Sequence, residues 1–370
     1  MRSAKLNLLV GSVVAAVLLA GCGGSSGGSS AAAGSAPADN ASADNASADK
    51  KTPTIGFVVP LISNPYWELM QSFAKGAAGQ LGIKLLTAQA DSDESKQLNI
   101  VQGWISSKVD GIVVGPVSDK VGQTVLRQAE QAKIPVTFMQ RQPGVDPSAS
   151  PDSIYVGYVG TDDGGGGALA AQALYDSGAR KWVAMTGDQG NSVAEQRLKA
   201  AQDFAKAHPD VKILKTQFGN EARSVGQQTM ENFLSALPGP GFDGVFSFND
   251  EGALGAIQAL DRSGDLKNMK ITAMDGTVDA VKAVADGELL TTVGGGYACG
   301  AFALVELYDF INGHKPDNRV MNIPLLPIKA DNVKQYQDQV LNGMDTYDFK
   351  AVSQTYTEGV TTADFKITLK

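Results

Sequence analysis

The chain has 370 residues, enough for about two domains, and its 43% hydrophobic and 19% charged content suits a soluble globular protein with a sizeable core. Its net charge is −8, and its Lys and Arg residues are scattered without a basic stripe, which argues against nucleic acid as a partner. Two cysteines and two histidines exclude Cys–His metal sites and a disulfide framework, so no metal or cofactor is expected, and any catalysis would fall to carboxylates, Lys, Tyr or hydroxyls.

Residues 1–21 read as a signal peptide. Arg2 and Lys5 make a positive start, and the apolar run Leu8 to Leu19 is short for a membrane anchor. The run closes on Leu19-Ala20-Gly21-Cys22, which resembles the lipobox of bacterial lipoproteins, where cleavage leaves an acylated Cys22. The alternative is an ordinary secretory signal with an incidental cysteine. Residues 22–52 form a tether of Gly, Ser and Ala, with the pentad ADNAS at 38–42 and again at 43–47 and too little apolar surface to fold. The expected location is the periplasm or cell surface, with the membrane reached through the lipid on Cys22 alone.

The folded part opens on Thr54 to Trp67, TIGFVVPLISNPYW. Ile55 to Val59 reads as a buried strand, Asn64 as a helix cap and Pro65 as the first turn of a helix running to Leu81. Strands are predicted at 83–88, 111–114 and 136–139, with helices holding Leu98, Val101 and Trp104, and then residues 121–132. A second series starts at 154–159 and continues with strands near 182–185, 211–216, 244–248, 271–274 and 290–293. Its most regular helices are 252–262 and 300–312. Strands alternating with helices at this spacing give parallel sheets covered on both faces, and ten such units are too many for one small sheet. The fold class is therefore α/β, with two doubly wound parallel-sheet lobes joined by a hinge. The expected lobes are 53–160 plus 296–326, and 161–295 plus 327–370 with the C-terminal tail. The last forty residues break the rhythm and read as short strands and loops.

Polar residues gather where strands stop: Asn64, Gln140-Arg141, Thr161-Asp162-Asp163, Gly187-Asp188-Gln189, Asn220-Glu221, Asn249-Asp250-Glu251 and Asp275. Each taken singly reads as a cap or turn. Recurrence in both lobes is what two doubly wound domains show when they clasp a ligand. Tyr66 and Trp67 stand open to two readings, as flat faces for the C–H side of a sugar or as core residues of their helix.

TIGFVVPLISNPYW, QRQ at 140–142, NSVAEQR at 191–197, FSFNDEGALGA at 246–256 and AMDGT at 273–277 together resemble the ribose-binding protein family. These are the type I periplasmic sugar-binding proteins of ABC transporters. The resemblance runs in order from Thr54 to Pro324, and the NDE-x-A-L-G-A run with the Asp-Gly-Thr turn is specific as a pair. It implies a small neutral sugar or cyclitol (hexose, ketose or inositol-like) held between two closing lobes and passed to ABC permease subunits by a monomer that is not an enzyme. It implies ligand-binding roles for Asn64, Tyr66, Trp67, Arg141, Arg197, Asn249 and Asp275, and Gln140, Glu221 and Gly295 complete the ten expected ligand-binding positions. Three positions depart from the family. Gln140 replaces an Asp, the family's aromatic near Asn220-Glu221 is absent, and glycine at Gly294-Gly295 replaces a Gln. The two arginines leave surplus positive charge, for which Glu221 is the candidate counterweight; without it an acidic sugar becomes the expectation.

Other functions fit less well. Gly164–Gly167 and Gly187–Gly190 lack the Lys-Ser/Thr of a phosphate loop and read as tight turns, and His208 and His314 lie in polar, loop-like surroundings. A repressor on this fold carries a helix-turn-helix head where this chain has Cys22 and a linker. A ligand-sensing receptor for chemotaxis or a sensor kinase stays open as the alternative, because it too reads closed lobes.

Overall fold

The computed structural model describes residues 51–149, 153–238, 241–343 and 346–370. The signal peptide, Cys22 and the tether to residue 50 lie outside the described residues. Among the described residues, no helix is long and apolar enough to cross a membrane.

The first series runs β1 (Thr54–Val59), α1 (Pro65–Leu81), β2 (Lys84–Gln89), α2 (Glu94–Ser106), β3 (Gly111–Val114), α3 (Asp119–Ala132), β4 (Val136–Met139) and β5 (Tyr155–Thr161). A second series repeats the rhythm. It runs α4 (Asp163–Asp176), β6 (Lys181–Met185), α5 (Ser192–Ala207), β7 (Lys212–Gln217), α6 (Arg223–Ala236), β8 (Gly244–Ser247), α7 (Asp250–Ser263), β9 (Lys270–Asp275), α8 (Val278–Ala285) and β10 (Thr291–Gly294). The chain then returns through α9 (Cys299–Ile311) and β11 (Val320–Ile323), crosses again into β12 (Leu326–Ile328), and continues in α10 (Val333–Tyr336). The sheets have the matching orders β2-β1-β3-β4-β5-β11 and β7-β6-β8-β9-β10-β12. All pairs are parallel except β12 on β10. The doubly wound α/β expectation holds.

Local chemistry explains the elements. Strands β3, β4 and β8 are buried at every residue, as sheets covered on both faces require. Asn64 Oδ1 caps α1 by accepting from Tyr66 N at 2.9 Å, Pro65 opens the first turn, and Gly82 closes the helix at φ 69°. Helix α9 packs on β3, β4, β5 and α1, and Phe302, Leu304, Val305 and Leu307 are fully buried there. Each such side chain contributes roughly 1.5–3 kcal/mol of apolar transfer.

Two expectations change. Gly164–Gly167 do not form a turn but lie in the first turns of α4, which packs tightly on α5. A Cβ on Gly167 would stand 2.6 Å from the Arg197 carbonyl oxygen, so the glycine permits close helix approach. The tail, expected with the second lobe, divides. Tyr336 hydrogen-bonds Tyr297 at 2.7 Å near the second sheet's edge, whereas residues 347–365 pack on α1 and α9 of the first lobe. Phe349 meets Phe73, Phe365 stacks on Phe302, and Tyr356 stacks on Tyr308. The reason is the anchor on α9. Asp309 accepts from Ser353 Oγ (2.6 Å), Gln354 N (2.9 Å), Thr355 N (3.0 Å) and Thr355 Oγ1 (2.7 Å). Hydrogen bonds to a charged acceptor are worth about 1.5–3 kcal/mol each, so Asp309→Ala should lower urea stability by at least about 2 kcal/mol. Limited proteolysis should then cut within 351–360, and an unchanged digestion pattern would refute the anchor.

Candidate functional site

The carboxyl ends of β1, β4, β6, β8 and β9 point into a cleft between the two sheets, at the switch points of both doubly wound lobes. Counted together with the solvent at its mouth, the cleft spans about 410 Å³. Nine of the ten expected positions line it: Asn64, Tyr66, Trp67, Gln140, Arg141, Arg197, Glu221, Asn249 and Asp275. The tenth, Gly295, does not. It stands at φ 91° in the turn after β10, where the chain crosses back to the first lobe. At its neighbour Gly294 a side chain has no space, because the Tyr336 hydroxyl lies 2.7 Å from where a Cβ would be. Asn191, Val193 and Phe248 complete the lining.

Arg197 is the electrostatic centre. Its Nε donates to Asp163 Oδ1 at 2.8 Å, and its Nη1 donates to Asp275 Oδ1 at 3.1 Å and to the Phe248 carbonyl at 2.6 Å. Burial works against its charge, but Asp163 and Asp275 more than offset that and raise its pKa. Burial pushes the Asp275 carboxyl up to about 6 although Arg197 pulls it down. Asp275 (φ 137°) and Gln140 (φ 61°) both adopt left-handed backbone, a strain of about 1–3 kcal/mol each that clusters at functional sites.

Arg141 donates to the Val117 carbonyl at 3.1 Å, and its guanidinium lies 5.6 Å from the Trp67 ring centre. Trp67 meets Tyr66 edge to face at 5.4 Å. Asn191 caps α5 through Oδ1 and donates Nδ2 to Glu221 Oε1 at 2.9 Å. Asn249 caps α7, accepting from Gly252 N at 2.9 Å, and its amide donates to the Glu221 carbonyl at 3.3 Å. Tyr66 and Trp67 are core residues of their helix, each 6% exposed, and both also line the cleft.

The family model described as a periplasmic binding protein domain matches residues 55–315. The chain belongs to the periplasmic binding protein family. It is 32% identical over 243 residues to the ribose import binding protein of Salmonella typhimurium, covering 65% of this chain and 78% of that protein. It is 31% identical over 247 residues to the galactofuranose-binding protein of Escherichia coli, covering 65% and 76%. A crystal structure of an ABC transporter solute-binding protein from Bacillus halodurans with bound myo-inositol superposes with a TM-score of 0.70 at 25% identity, covering 79% of this chain and 99% of that one. The expected resemblance to ribose-binding proteins is borne out, and the family implies an extracytoplasmic location.

In this periplasmic binding protein the three departures acquire physical content. Gln140 is not a free acceptor facing the cleft; it is 3% exposed, and its Oε1 accepts from the Tyr66 hydroxyl at 2.6 Å. The aromatic missing near Asn220-Glu221 has a counterpart in Phe248, which follows β8 and brings a ring from the second lobe. The surplus positive charge also disappears. Asp163 sits behind Arg197, and Glu221 is the foremost group acting on Arg141 against the burial that lowers its pKa. Asp163 was visible in the sequence only as one of several strand-end acids, since a partner behind the lining leaves no separate mark. Neither histidine lines the cleft, and His208 stacks on Phe204 at 4.1 Å.

Proposed function

We propose that this periplasmic binding protein captures a small neutral sugar or cyclitol between its lobes and delivers it to the permease of an ABC importer. The single observation that carries the reading is the cleft itself: aromatic faces from both lobes beside Arg141 and beside Arg197 with its two paired carboxylates. Flat rings suit the C–H faces of a sugar, the Arg fork suits ring and hydroxyl oxygens, and Asp275 suits a hydroxyl proton. With Asp163, Asp275 and Glu221 set against Arg141 and Arg197, a neutral ligand fits better than an acidic one. The galactofuranose and myo-inositol of its relatives support a hexose or cyclitol. The protein acts as a monomer without cofactor or catalysis, tethered through an acylated Cys22.

The test is calorimetry of the purified chain against pentoses, hexoses, inositols, sugar acids and amino acids, with Trp67 fluorescence as a second signal. The expected result is one hexose or cyclitol bound at micromolar strength, about −8 kcal/mol, with small-angle scattering showing a smaller radius of gyration once it is bound. A sugar acid or amino acid as the tightest ligand would overturn the reading.

A further inference from the structure

The side chains that face the cleft are joined behind it by an unbroken series of hydrogen bonds. The Tyr66 hydroxyl donates to Gln140 Oε1 at 2.6 Å, and Gln140 Nε2 donates to Thr161 Oγ1 at 3.1 Å. Thr161 Oγ1 donates to Asp163 Oδ2 at 2.9 Å, and Asp163 Oδ1 accepts from Arg197 Nε at 2.8 Å. Arg197 Nη1 then reaches Asp275 Oδ1 at 3.1 Å. No member is more than 7% exposed.

The direction of every bond follows from proton counting. An Asp163 carboxylate ion-paired with Arg197 can only accept, so it takes the one proton Thr161 owns. Thr161 Oγ1 can then only accept from Gln140, which turns the Gln140 amide so that its NH₂ faces Thr161 and its oxygen faces Tyr66. Cys299 Sγ also donates to that oxygen, at 3.4 Å. Tyr66 has one hydroxyl proton, and it is committed to Gln140. What Tyr66 presents to the cleft is therefore an acceptor. At the other end, Nε and Nη1 of Arg197 are held by Asp163, Asp275 and the Phe248 carbonyl, so Nη2 is the donor aimed at the cleft. The series also joins the lobes. Tyr66, Gln140 and Thr161 stand on α1 and at the ends of β4 and β5, whereas Asp163, Arg197 and Asp275 belong to α4, α5 and β9.

We infer that Gln140, Thr161 and Asp163 are positioning residues for ligand specificity, forming a relay that sets Tyr66 as an acceptor in one lobe and Arg197 Nη2 as a donor in the other. This rests on the cleft being the ligand site. A hydroxyl proton of the ligand is taken by Tyr66, and a ring or hydroxyl oxygen is taken by Arg197. A ligand with that polarity reversed finds no partner, and unpaired polar groups in a closed site are what reject analogues most strongly.

The test uses the full chain without ligand, so it stands whatever the sugar screen returns. Thr161→Val keeps the shape and removes the hydroxyl, while Thr161→Ser keeps the hydroxyl. Carbon-13 NMR should show the Tyr66 Cζ resonance moving and the Asp163 carboxyl titrating at higher pH in Thr161→Val, with both restored in Thr161→Ser. A side chain that merely filled space would not shift a tyrosine two hydrogen bonds away. Should Thr161→Val fail to fold, Gln140→Met replaces it, and the Tyr66 Cζ resonance is again expected to move. Tyr66 and Asp163 signals unchanged in Thr161→Val, or equally displaced in Thr161→Ser, overturn the relay. So does an unmoved Tyr66 signal in Gln140→Met.

Discussion

Arg197→Met is expected to cost about 3–5 kcal/mol of stability at neutral pH, the scale on which breaking a buried ion pair leaves its partners uncompensated. Asp163 and Asp275 are both buried, and Arg197 is the cation that hydrogen-bonds each of them. Methionine fills a similar length but returns no charge. Burial already raises both carboxyls while Arg197 opposes it, so its loss should raise them further. The two groups then protonate on mild acidification, and the deficit should shrink. Urea unfolding of wild type and variant at pH 8 and pH 5 measures this directly. An equal deficit at both pH values would mean that lost packing, not stranded charge, is the cause.

The second large effect concerns affinity. With Asp275 pushed up to about 6, a ligand hydroxyl that donates to its carboxylate should bind less well as pH falls through that value. Affinity at pH 5 should be about tenfold below that at pH 7.5, since each pH unit below the pKa removes about a factor of ten of the ionised form. Stability responds with the opposite sign. The folded pKa lies above the unfolded value of about 3.9, so the native state takes up a proton between pH 6 and 4 that the unfolded chain does not. This group's contribution to stability therefore rises as pH falls through that window. Asp275→Asn should weaken binding by roughly 2–5 kcal/mol at neutral pH, the range for removing one partner of a buried charge pair, and its residual affinity should be flat with pH. Wild-type calorimetry that is flat from pH 5 to 8 would remove Asp275 from the ligand's contacts.

The strands were legible because sheets covered on both faces demand continuous apolar runs: GIVV at 111–114 and VTFM at 136–139 needed no correction. Helix starts were legible for the same kind of reason, since Asn64 and Asn249 are caps first and cleft residues second. The cleft was readable to the extent that its residues follow strand ends directly. Gly295 misled because a position in a motif carries no record of backbone direction. The orientation of Gln140 left no mark in the sequence because it depends on Tyr66, 74 residues away. Phe248 ends a predicted strand and Val193 falls within the 191–197 motif, and only the tertiary fold brings their side chains to the cleft wall. The glycines at 164–167 read equally as a turn, because a close helix crossing and a loop ask for the same residue.

The order in which the lobes can be completed during synthesis is set by the route of the chain. The second sheet's parallel core lies within 181–294, a continuous stretch that can gather as it emerges. The first sheet cannot finish with its own early residues. It lacks the hydrophobic cover of α9 until residue 311 appears, its edge strand β11 until 323, and the aromatic plug of Phe349 and Phe365 until 365. β5 and β11 pair across more than 150 residues of intervening chain, and pairing at such separation is slow. The sheet that begins first is thus the last to be completed.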